Sequence, residues 1–440
     1  MCFTKIARWC VLCTAWGCTF ADSAATSRAA EPAAIASNTD PVRTTNEWTS
    51  WRGPQADGSG DAEQMPPTQW SESEYIAWQT PIPGRGHASP VVRGDEVFLP
   101  TADLDRQIQS VLCFDAKTGR QKWESIVHEG GFNNKNAETA NSKASFASST
   151  IAADNEQLYV NFFNDDAIYT TALDHSGHIL WQQKISDYTM HQGYGSSPAL
   201  HGPLVIVAAD NKGGGAVAGL DRKSGKVVWS HDRPSKPNYA SPIVHHLNGR
   251  DQLILTGCDL VTSLNPLTGE VLWEIPGATT ECVTTTVTDG THVYSSGGYP
   301  KNHVAAIVAD GSGRVAWEIN KRIYVPSMVI RDGYLYVTFD DGIAGCIDAA
   351  TGEEIWKKRL GGTFSSSPVL VGTLIYATNE DGETFIFEAT PEKFQSAGKN
   401  KIGQSVFATP AIVGGKIYTR VAKMEDDQRQ EYLVCISNRD

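Results

Sequence analysis

The chain consists largely of short segments in which apolar and polar residues alternate, separated by turns rich in Gly and Asp. Residues 88–99 and 366–376 are two examples, and each contains Ser-Pro, an alternating strand, a Gly turn and a second alternating strand. A period of two places apolar side chains on one face of a strand, and Gly or Asp between two such strands is typical of a hairpin. The pattern predicts an all-β protein of short antiparallel strands.

A second pattern follows each pair of strands and shows that the unit repeats. It is a turn of the form Asp-x-x-x-Gly or Asp-x-x-Gly, with Asn for Asp in the fourth copy, followed by a strand that contains Trp. The six copies occupy residues 115–123, 174–181, 221–229, 265–273, 310–317 and 348–356. With one further Trp before the first copy, the tryptophans are 39 to 58 residues apart, the spacing of four-stranded propeller blades.

These tryptophans are large apolar side chains at one equivalent position, so we expect each to dock its blade on the neighbouring blade rather than to contact a ligand. They are Trp78, Trp123, Trp181, Trp229, Trp273, Trp317 and Trp356.

Eight strand-pair units start between Ala88 and Ala408, so the sequence predicts an eight-bladed β-propeller with four-stranded antiparallel blades. The last blade runs out of chain before its fourth strand, and the strand around Trp78 has no blade of its own. We therefore expect this N-terminal strand to join the C-terminal blade and close the ring, which pairs edges that would otherwise be open. The seventh unit lacks the turn and Trp, and Phe394 is expected to pack in their place.

The N-terminal region has the features of an exported protein. In residues 1–25, Lys5 and Arg8 precede a short apolar stretch and small residues follow, which is typical of a signal peptide. The apolar stretch is too short to span a bilayer as a helix. Residues 26–47, rich in Ala, Ser, Thr and Pro, are predicted to be a flexible linker, and the propeller occupies residues 48–440.

From this region we expect a periplasmic or extracellular monomer that does not span the membrane. A lipoprotein anchored through Cys18 is an alternative, which the bulky Trp16 disfavours.

Charge and cysteine content narrow the choice of partners. The formal net charge is −13 and no basic stripe occurs, which argues against nucleic acid. Cys113, Cys346 and Cys435 occupy the same strand position in three repeats, as small core residues do. A disulfide framework is therefore not expected.

The turn segments carry a family resemblance. Residues 115–123 and 348–356, with the form Asp-Ala-x-Thr-Gly-x-x-x-Trp, resemble the repeats of the pyrroloquinoline-quinone-like (PQQ-like) propeller family. Residues 51–58, Trp-Arg-Gly-Pro-Gln-Ala-Asp-Gly, resemble the lead-in segment of its secreted bacterial branch. The resemblance covers about residues 48–440 and implies the propeller fold. For function it leaves two classes, because the family contains quinoprotein alcohol and glucose dehydrogenases and also the non-catalytic outer-membrane assembly factor BamB.

Residues just before each innermost strand are expected at one mouth of the central channel, and most of them are aromatic. Around the ring they are His87, Phe146, Tyr194, Tyr239, Cys282, Tyr324, Phe364 and Phe407, with the polar residues Arg85, Lys143, Gln192, Asn238, Glu281 and Arg322 beside them. An aromatic funnel with a few convergent polar groups is the usual form of a ligand site. The alternative is that these aromatic side chains fill the gaps between blades.

Three functions stay open. A binding or assembly scaffold, the reading we favour, needs no catalytic residue or cofactor and binds a cell-envelope protein or a small ligand at the funnel mouth or along blade edges. A quinoprotein oxidoreductase needs PQQ and Ca²⁺, for which Glu281 and Asn238 are the candidate ligands, yet the adjacent Cys-Cys pair common in those enzymes is missing. A propeller hydrolase or lyase needs a second carboxylate facing Glu281.

Overall fold

The computed structural model describes residues 47–132 and 141–438. The predicted signal peptide, 1–25, and all but the last residue of the predicted linker, 26–47, lie outside the described residues. Within the described part every regular element is a strand, and the strands form eight four-stranded antiparallel sheets. The predicted all-β, eight-bladed propeller is confirmed.

The strands follow the chain in blade order. Strand β1 (Ile76–Ile82) precedes the first blade. Blades 1 to 4 contain, in order, β2 (Val91–Arg93), β3 (Glu96–Asp103), β4 (Ile108–Asp115), β5 (Gln121–Glu129); β6 (Ala152–Ala153), β7 (Gln157–Asn164), β8 (Ala167–Asp174), β9 (Ile179–Asp187); β10 (Ala199–His201), β11 (Leu204–Ala208), β12 (Gly215–Asp221), β13 (Val227–Arg233); β14 (Ile243–Leu247), β15 (Arg250–Gly257), β16 (Leu260–Leu264), β17 (Val271–Pro276).

Blades 5 to 7 contain β18 (Val287–Thr288), β19 (His292–Gly297), β20 (His303–Val308), β21 (Val315–Ile319); β22 (Val329–Arg331), β23 (Tyr334–Phe339), β24 (Ile343–Asp348), β25 (Glu354–Arg359); β26 (Val369–Val371), β27 (Leu374–Thr378), β28 (Glu383–Glu388), β29 (Ser396–Lys401). Blade 8 contains β30 (Ala411–Val413), β31 (Lys416–Glu425) and β32 (Gln428–Ser437). Its fourth strand is β1, which pairs antiparallel with β32 and places Trp78 opposite Cys435. The ring is thus closed by the N-terminal strand, as predicted.

The repeated tryptophans lie where one blade meets the next. Six of the seven indoles donate Nε1–H to a backbone carbonyl of the following blade; the Trp181 indole, for example, donates to Arg222 O at 2.8 Å. The same ring covers Gly225, where an added Cβ would lie 2.5 Å from it. Gly is therefore required at that turn both for its positive φ and for the close approach of the ring. Trp273 differs, because its indole donates to Gln252 within its own blade.

Blade 7 has no Trp in its fourth strand, and other aromatic residues pack near that position. Phe394 packs against Trp356 and Phe387, with ring centroids 5.8 and 5.3 Å apart, so it fills the turn position. The register position of Trp, opposite Ile386, is occupied by Gly398. Residues 68–70 lie against this glycine, and the buried Trp70 joins the same core cluster as Ile386. Phe394 thus packs in this blade as expected, and the N-terminal segment adds the buried Trp70 to the core beside it.

A ring of hydroxyl groups joins the blades around the channel. At six of the junctions the backbone N–H at the start of one blade donates to a Ser or Thr hydroxyl at the same position of the next blade, at 2.9 to 3.0 Å. The accepting residues are Thr150, Ser197, Ser241, Ser327, Ser367 and Thr409. The Ser of the repeated Ser-Pro motif therefore stabilises the junction between blades, because its hydroxyl oxygen accepts a hydrogen bond from a buried backbone N–H of the preceding blade.

Candidate functional site

The channel mouth opens on a cavity of about 370 Å³ that several blades build together. Its aromatic wall consists of Trp51, His87, Tyr194, Tyr239, Tyr299, Tyr324 and Phe407. Its polar wall consists of Asn141, Lys143, Ser148, Gln192, Ser197, Ser241, Ser365 and Thr409. We call this cavity the funnel. Concave, mostly aromatic surfaces with a few polar groups are the common form of ligand sites.

Of the residues predicted at the mouth, the structure brings seven into the funnel wall: His87, Lys143, Gln192, Tyr194, Tyr239, Tyr324 and Phe407. Phe146 packs instead against Phe132 and Phe163, and Phe364 is fully buried against Phe385, so these two fill gaps between blades. Cys282 is also fully buried. Asn238, Glu281 and Arg322 lie behind the wall rather than in it.

The floor of the funnel comes from the N-terminal segment. Residues 48 and 49 bond to blades 1 and 2, through Val92 and Ala153, and residues 58–60 bond to Leu370 of blade 7. Between these anchors, Trp51 lines both the funnel and a second cavity on the far side, so the segment crosses the channel and closes it.

Arg52 fixes this floor in place. Its guanidinium is buried and donates to the backbone carbonyls of Met328 in blade 6 and Pro368 in blade 7, and burial lowers its pKa to about 10. In the sequence, residues 51–58 were recognisable only as a family feature, and their position in the site was not predicted. The available signal was Trp51-Arg52 in a segment too short to form a blade.

The segment that connects blades 1 and 2 makes the spacing from Trp123 to Trp181 the longest of the repeats, and we call it the insertion. It reaches over the mouth at residues 141–143. Three different blades hold it: the Lys143 ammonium pairs with Glu380 of blade 7 at 2.7 Å, Asn141 bonds to Gln192 before blade 3, and Arg85 donates to Ser142 O at 3.4 Å. The part of the insertion at 133–140 lies outside the described residues.

The side of the funnel between blades 8 and 1 is basic. His87 stacks on Phe407 with ring centroids 4.4 Å apart, and Arg85 Nη2 lies 3.5 Å from His87 Nε2. Arg420 and Arg429 lie behind Arg85 on the same side of the funnel, and both pair with the single buried carboxylate of Glu431. Burial, together with the positive charges of the three arginines, lowers the pKa of His87 well below its usual value, so this imidazole is neutral at pH 7.

The side between blades 4 and 5 is acidic and phenolic. Glu281 is 2% exposed, accepts a hydrogen bond from the Tyr324 hydroxyl at 3.1 Å and lies 3.2 Å from His191 Nε2. Burial first, and then the Glu281 charge, raises the pKa values of Tyr239 and Tyr324, so both phenols keep their protons. Arg322 lies over the Tyr324 ring at 5.1 Å from its centroid.

The residues considered for a PQQ and Ca²⁺ site do not fit one. The Asn238 side-chain oxygen accepts the N–H of Cys282 at 2.9 Å, and its amide nitrogen donates to Asp210 and to Thr256 O. The amide nitrogen and oxygen of Asn238 are thus already used in hydrogen bonds with the protein. Asn238 therefore does not join Glu281 as a second oxygen ligand for a metal ion. Within residues 47–132 and 141–438, no three His, Cys, Asp or Glu side chains are arranged to hold a metal ion. The same ranges contain no helix long and apolar enough to cross a membrane.

Comparison with known proteins places the chain among propellers of related sequence. A family model described as outer membrane protein assembly factor BamB matches residues 68–133, 109–320 and 300–419. The tetrathionate hydrolase of Acidithiobacillus ferrooxidans is 23% identical over 69% of this chain, and the chain spans only 51% of that protein. The outer membrane protein assembly factor BamB of Burkholderia pseudomallei is 25% identical over 76% of this chain and 81% of its own length.

Among solved structures, a europium-containing methanol dehydrogenase superposes with a TM-score of 0.68 at 12% identity, over 90% of this chain and 98% of that chain. At this identity the likeness concerns the fold alone.

Proposed function

The chain belongs to the family of the outer membrane protein assembly factor BamB, and from this we propose that it is a non-catalytic binding scaffold of the cell envelope whose funnel receives its ligand or partner. The observation that carries the proposal is the funnel itself. It has an aromatic wall, a floor supplied by Trp51 and one open mouth, so it offers a preformed site for an inserted group. The polar groups of the funnel wall form hydrogen bonds mainly with other residues of the propeller. This arrangement suits ligand binding better than catalysis.

Partner capture with matched variants tests the funnel. Tyr299 and Met424 are both 54% exposed, but only Tyr299 lines the funnel. Replacing each with Ser removes a similar exposed apolar surface without opening the core. We expect immobilised Tyr299→Ser protein to retain much less of its envelope partner than wild type in quantitative mass spectrometry, whereas Met424→Ser protein retains as much. Equal capture by both variants would place binding outside the funnel.

A cofactor titration tests the oxidoreductase alternative. Purified mature protein is titrated with PQQ and Ca²⁺ and followed by thermal unfolding and by reduction of an artificial dye, because a ligand that binds the native state raises its apparent stability. We expect no shift and no dye reduction. A clear shift with turnover would overturn the scaffold proposal and make Glu281 and Asn238 the first residues to replace.

The hydrolase alternative, which the name of one relative brings forward, has less support from the geometry. It needs a second carboxylate across the channel from Glu281. Blade 1, four blades away from Glu281, has Arg85 and His87 before its innermost strand.

We also propose that the protein is exported, with residues 1–25 removed, and that it is monomeric. N-terminal sequencing of the mature protein and light scattering after size-exclusion chromatography test the two statements. An intact N-terminus or a dimeric mass would contradict them.

A further inference from the structure

The basic side of the funnel contains a guanidinium without a counter-ion. No carboxylate among the described residues lies within 4 Å of Arg85, and its Nε is buried without a hydrogen-bond partner in that part of the chain. Its two polar contacts, to Ser142 O and His87, are long, at 3.4 and 3.5 Å. A guanidinium has five N–H donors, so most of the donor capacity of Arg85 is unused.

Neighbouring charges make this site more basic. Arg420 and Arg429 share Glu431, which leaves the group of three with one net positive charge. Arg85 adds a second. Burial first, and then the charges of Arg429 and Arg420, lower the pKa of Arg85, and the attraction of Glu431 offsets this only in part. Lys143 does not contribute, because Glu380 pairs with it. An excess of positive charge, half-buried in a protein of net charge −13, attracts an anionic group.

The acidic side contains the opposite arrangement. Among the described residues, His191 is the sole basic side chain within 4 Å of the buried Glu281 carboxylate, and no Lys or Arg pairs with it. Tyr324 donates its hydroxyl proton to Glu281, so the phenol oxygen of Tyr324 is available only as an acceptor. The buried Tyr239 hydroxyl has no partner within residues 47–132 and 141–438. Two phenol oxygens with a carboxylate behind them suit an ammonium group.

The propeller topology sets these two sides against each other. Arg85 and His87 precede the innermost strand of blade 1, and Glu281 precedes that of blade 5. In an eight-bladed ring, blades four apart face each other across the channel. Each of these two charged groups contacts a residue of the funnel wall, Arg85 through His87 and Glu281 through Tyr324.

We propose that the funnel selects a zwitterionic chain of the peptide type, with its anionic group at Arg85 and His87 and its ammonium group at Tyr239 and Tyr324. The inference rests on the proposed function, because it names the ligand class of the same funnel. The aromatic wall between the two charged sides then covers the apolar middle of the ligand. The Glu281 carboxylate accepts the Tyr324 hydroxyl proton, and the oxygen of that hydroxyl then accepts a hydrogen bond from the ammonium group.

The test compares ligands that differ only in charge. ω-Amino acids of four, six and eight carbons are titrated calorimetrically at low salt, beside the fatty acid and the alkylamine of the same length. We expect the best ω-amino acid to bind about tenfold more tightly than either singly charged analogue of its length, as one additional charged contact gives.

Two variants assign the charged ends. Arg85→Gln is expected to reduce zwitterion affinity to that of the alkylamine. Arg93→Gln, which removes an arginine of blade 1 that pairs with Glu47 outside the funnel, is expected to leave it unchanged. Tyr324→Phe removes the hydroxyl that links Glu281 to the funnel and is expected to reduce zwitterion affinity to that of the fatty acid. Its matched control is Tyr294→Phe, because that buried tyrosine also donates to a carboxylate, Asp289, but lies outside the funnel.

Stability measured on the ligand-free variants separates binding from a structural role. Arg85→Gln removes repulsion with Arg420 and Arg429, so the unfolding midpoint is expected to stay equal or rise. A lowered midpoint together with unchanged zwitterion preference would show that Arg85 is structural and overturn the inference. Equal binding of all three ligand types would also overturn it while leaving the funnel as the binding site, and loss of partner capture in Tyr299→Ser protein reports on the funnel independently.

Discussion

The hydroxyl ring predicts a specific cost for a very small change. Ser367→Ala removes one oxygen atom, and Ser367 is 1% exposed. That oxygen accepts the backbone N–H of Ser327 from the preceding blade at 2.9 Å. After the substitution the N–H stays buried at the junction of blades 6 and 7 without an acceptor.

The magnitude follows from the unmade hydrogen bond. A buried donor without a partner costs about 1–3 kcal/mol. The propeller contains roughly 390 residues, and an unfolding entropy of about 2.1 cal/mol/K per residue gives ~0.8 kcal/mol/K for the whole domain. We therefore expect the unfolding midpoint of Ser367→Ala protein to fall by about 1–4 °C.

The first blade provides the matched control. Ser89 occupies the same position of the repeat and is also 1% exposed, but its hydroxyl has no hydrogen-bond partner in the described part of the chain. Ser89→Ala therefore removes an unsatisfied buried group, and we expect a midpoint that is equal or slightly higher. Differential scanning calorimetry and urea titration of tryptophan fluorescence measure both variants, and an unchanged urea m-value shows that the same surface is exposed.

The reasoning is refuted if Ser367→Ala and Ser89→Ala proteins have the same midpoint. That result would mean that the junction relaxes enough to satisfy the freed N–H, and that the repeated hydrogen bonds of the ring contribute nothing measurable to stability.

Three further substitutions test other parts of the fold. Gly398→Ala places a Cβ 2.4 Å from Thr68 O and is expected to destabilise the protein by about 1–3 kcal/mol in urea titration. In the control, Gly277→Ala, the Cβ would meet its nearest atom at 3.9 Å, so the effect is expected to be near zero. Equal effects would contradict the packing of the N-terminal segment on blade 7. Arg52→Met leaves two blade carbonyls without their donor, so it is expected to cost about 1.5–3 kcal/mol and to expose the floor to limited proteolysis; unchanged protease resistance would show that the floor does not depend on this side chain. Burial lowers the pKa of His128 to about 4, so between pH 6.5 and 4 the unfolded state binds more protons than the folded state, and stability falls as pH falls. His128→Phe is expected to flatten the plot of urea midpoint against pH over that range. An identical slope would assign the loss of stability to other groups.

The sequence by itself determined the architecture. Alternating apolar positions define the strands, Asp and Gly define the turns between them, and the Trp spacing defines the blade. These signals repeat, so errors in one unit are corrected by the others, and the closing role of the strand around Trp78 followed from counting strands. Local pattern was sufficient because each sheet is built from consecutive strands, except for the closing strand, and packs on the sheets next to it in the chain.

The tertiary structure alone decided the composition of the funnel. Position before a strand did not distinguish Tyr324, which lines the funnel, from Phe364, which is buried between blades, because a rotation of the side chain separates the two outcomes. Trp51 and Trp70 lie outside the repeats, so no periodic signal connected the first to the floor of the funnel or the second to blade 7.

The opposition of Arg85 and Glu281 has the same origin. The two residues are almost 200 positions apart in the chain, and they face each other only because eight blades close into a ring. Among the described residues Arg85 has no carboxylate within 4 Å and Glu281 has no Lys or Arg, and both facts depend on packing in three dimensions rather than on the order of residues.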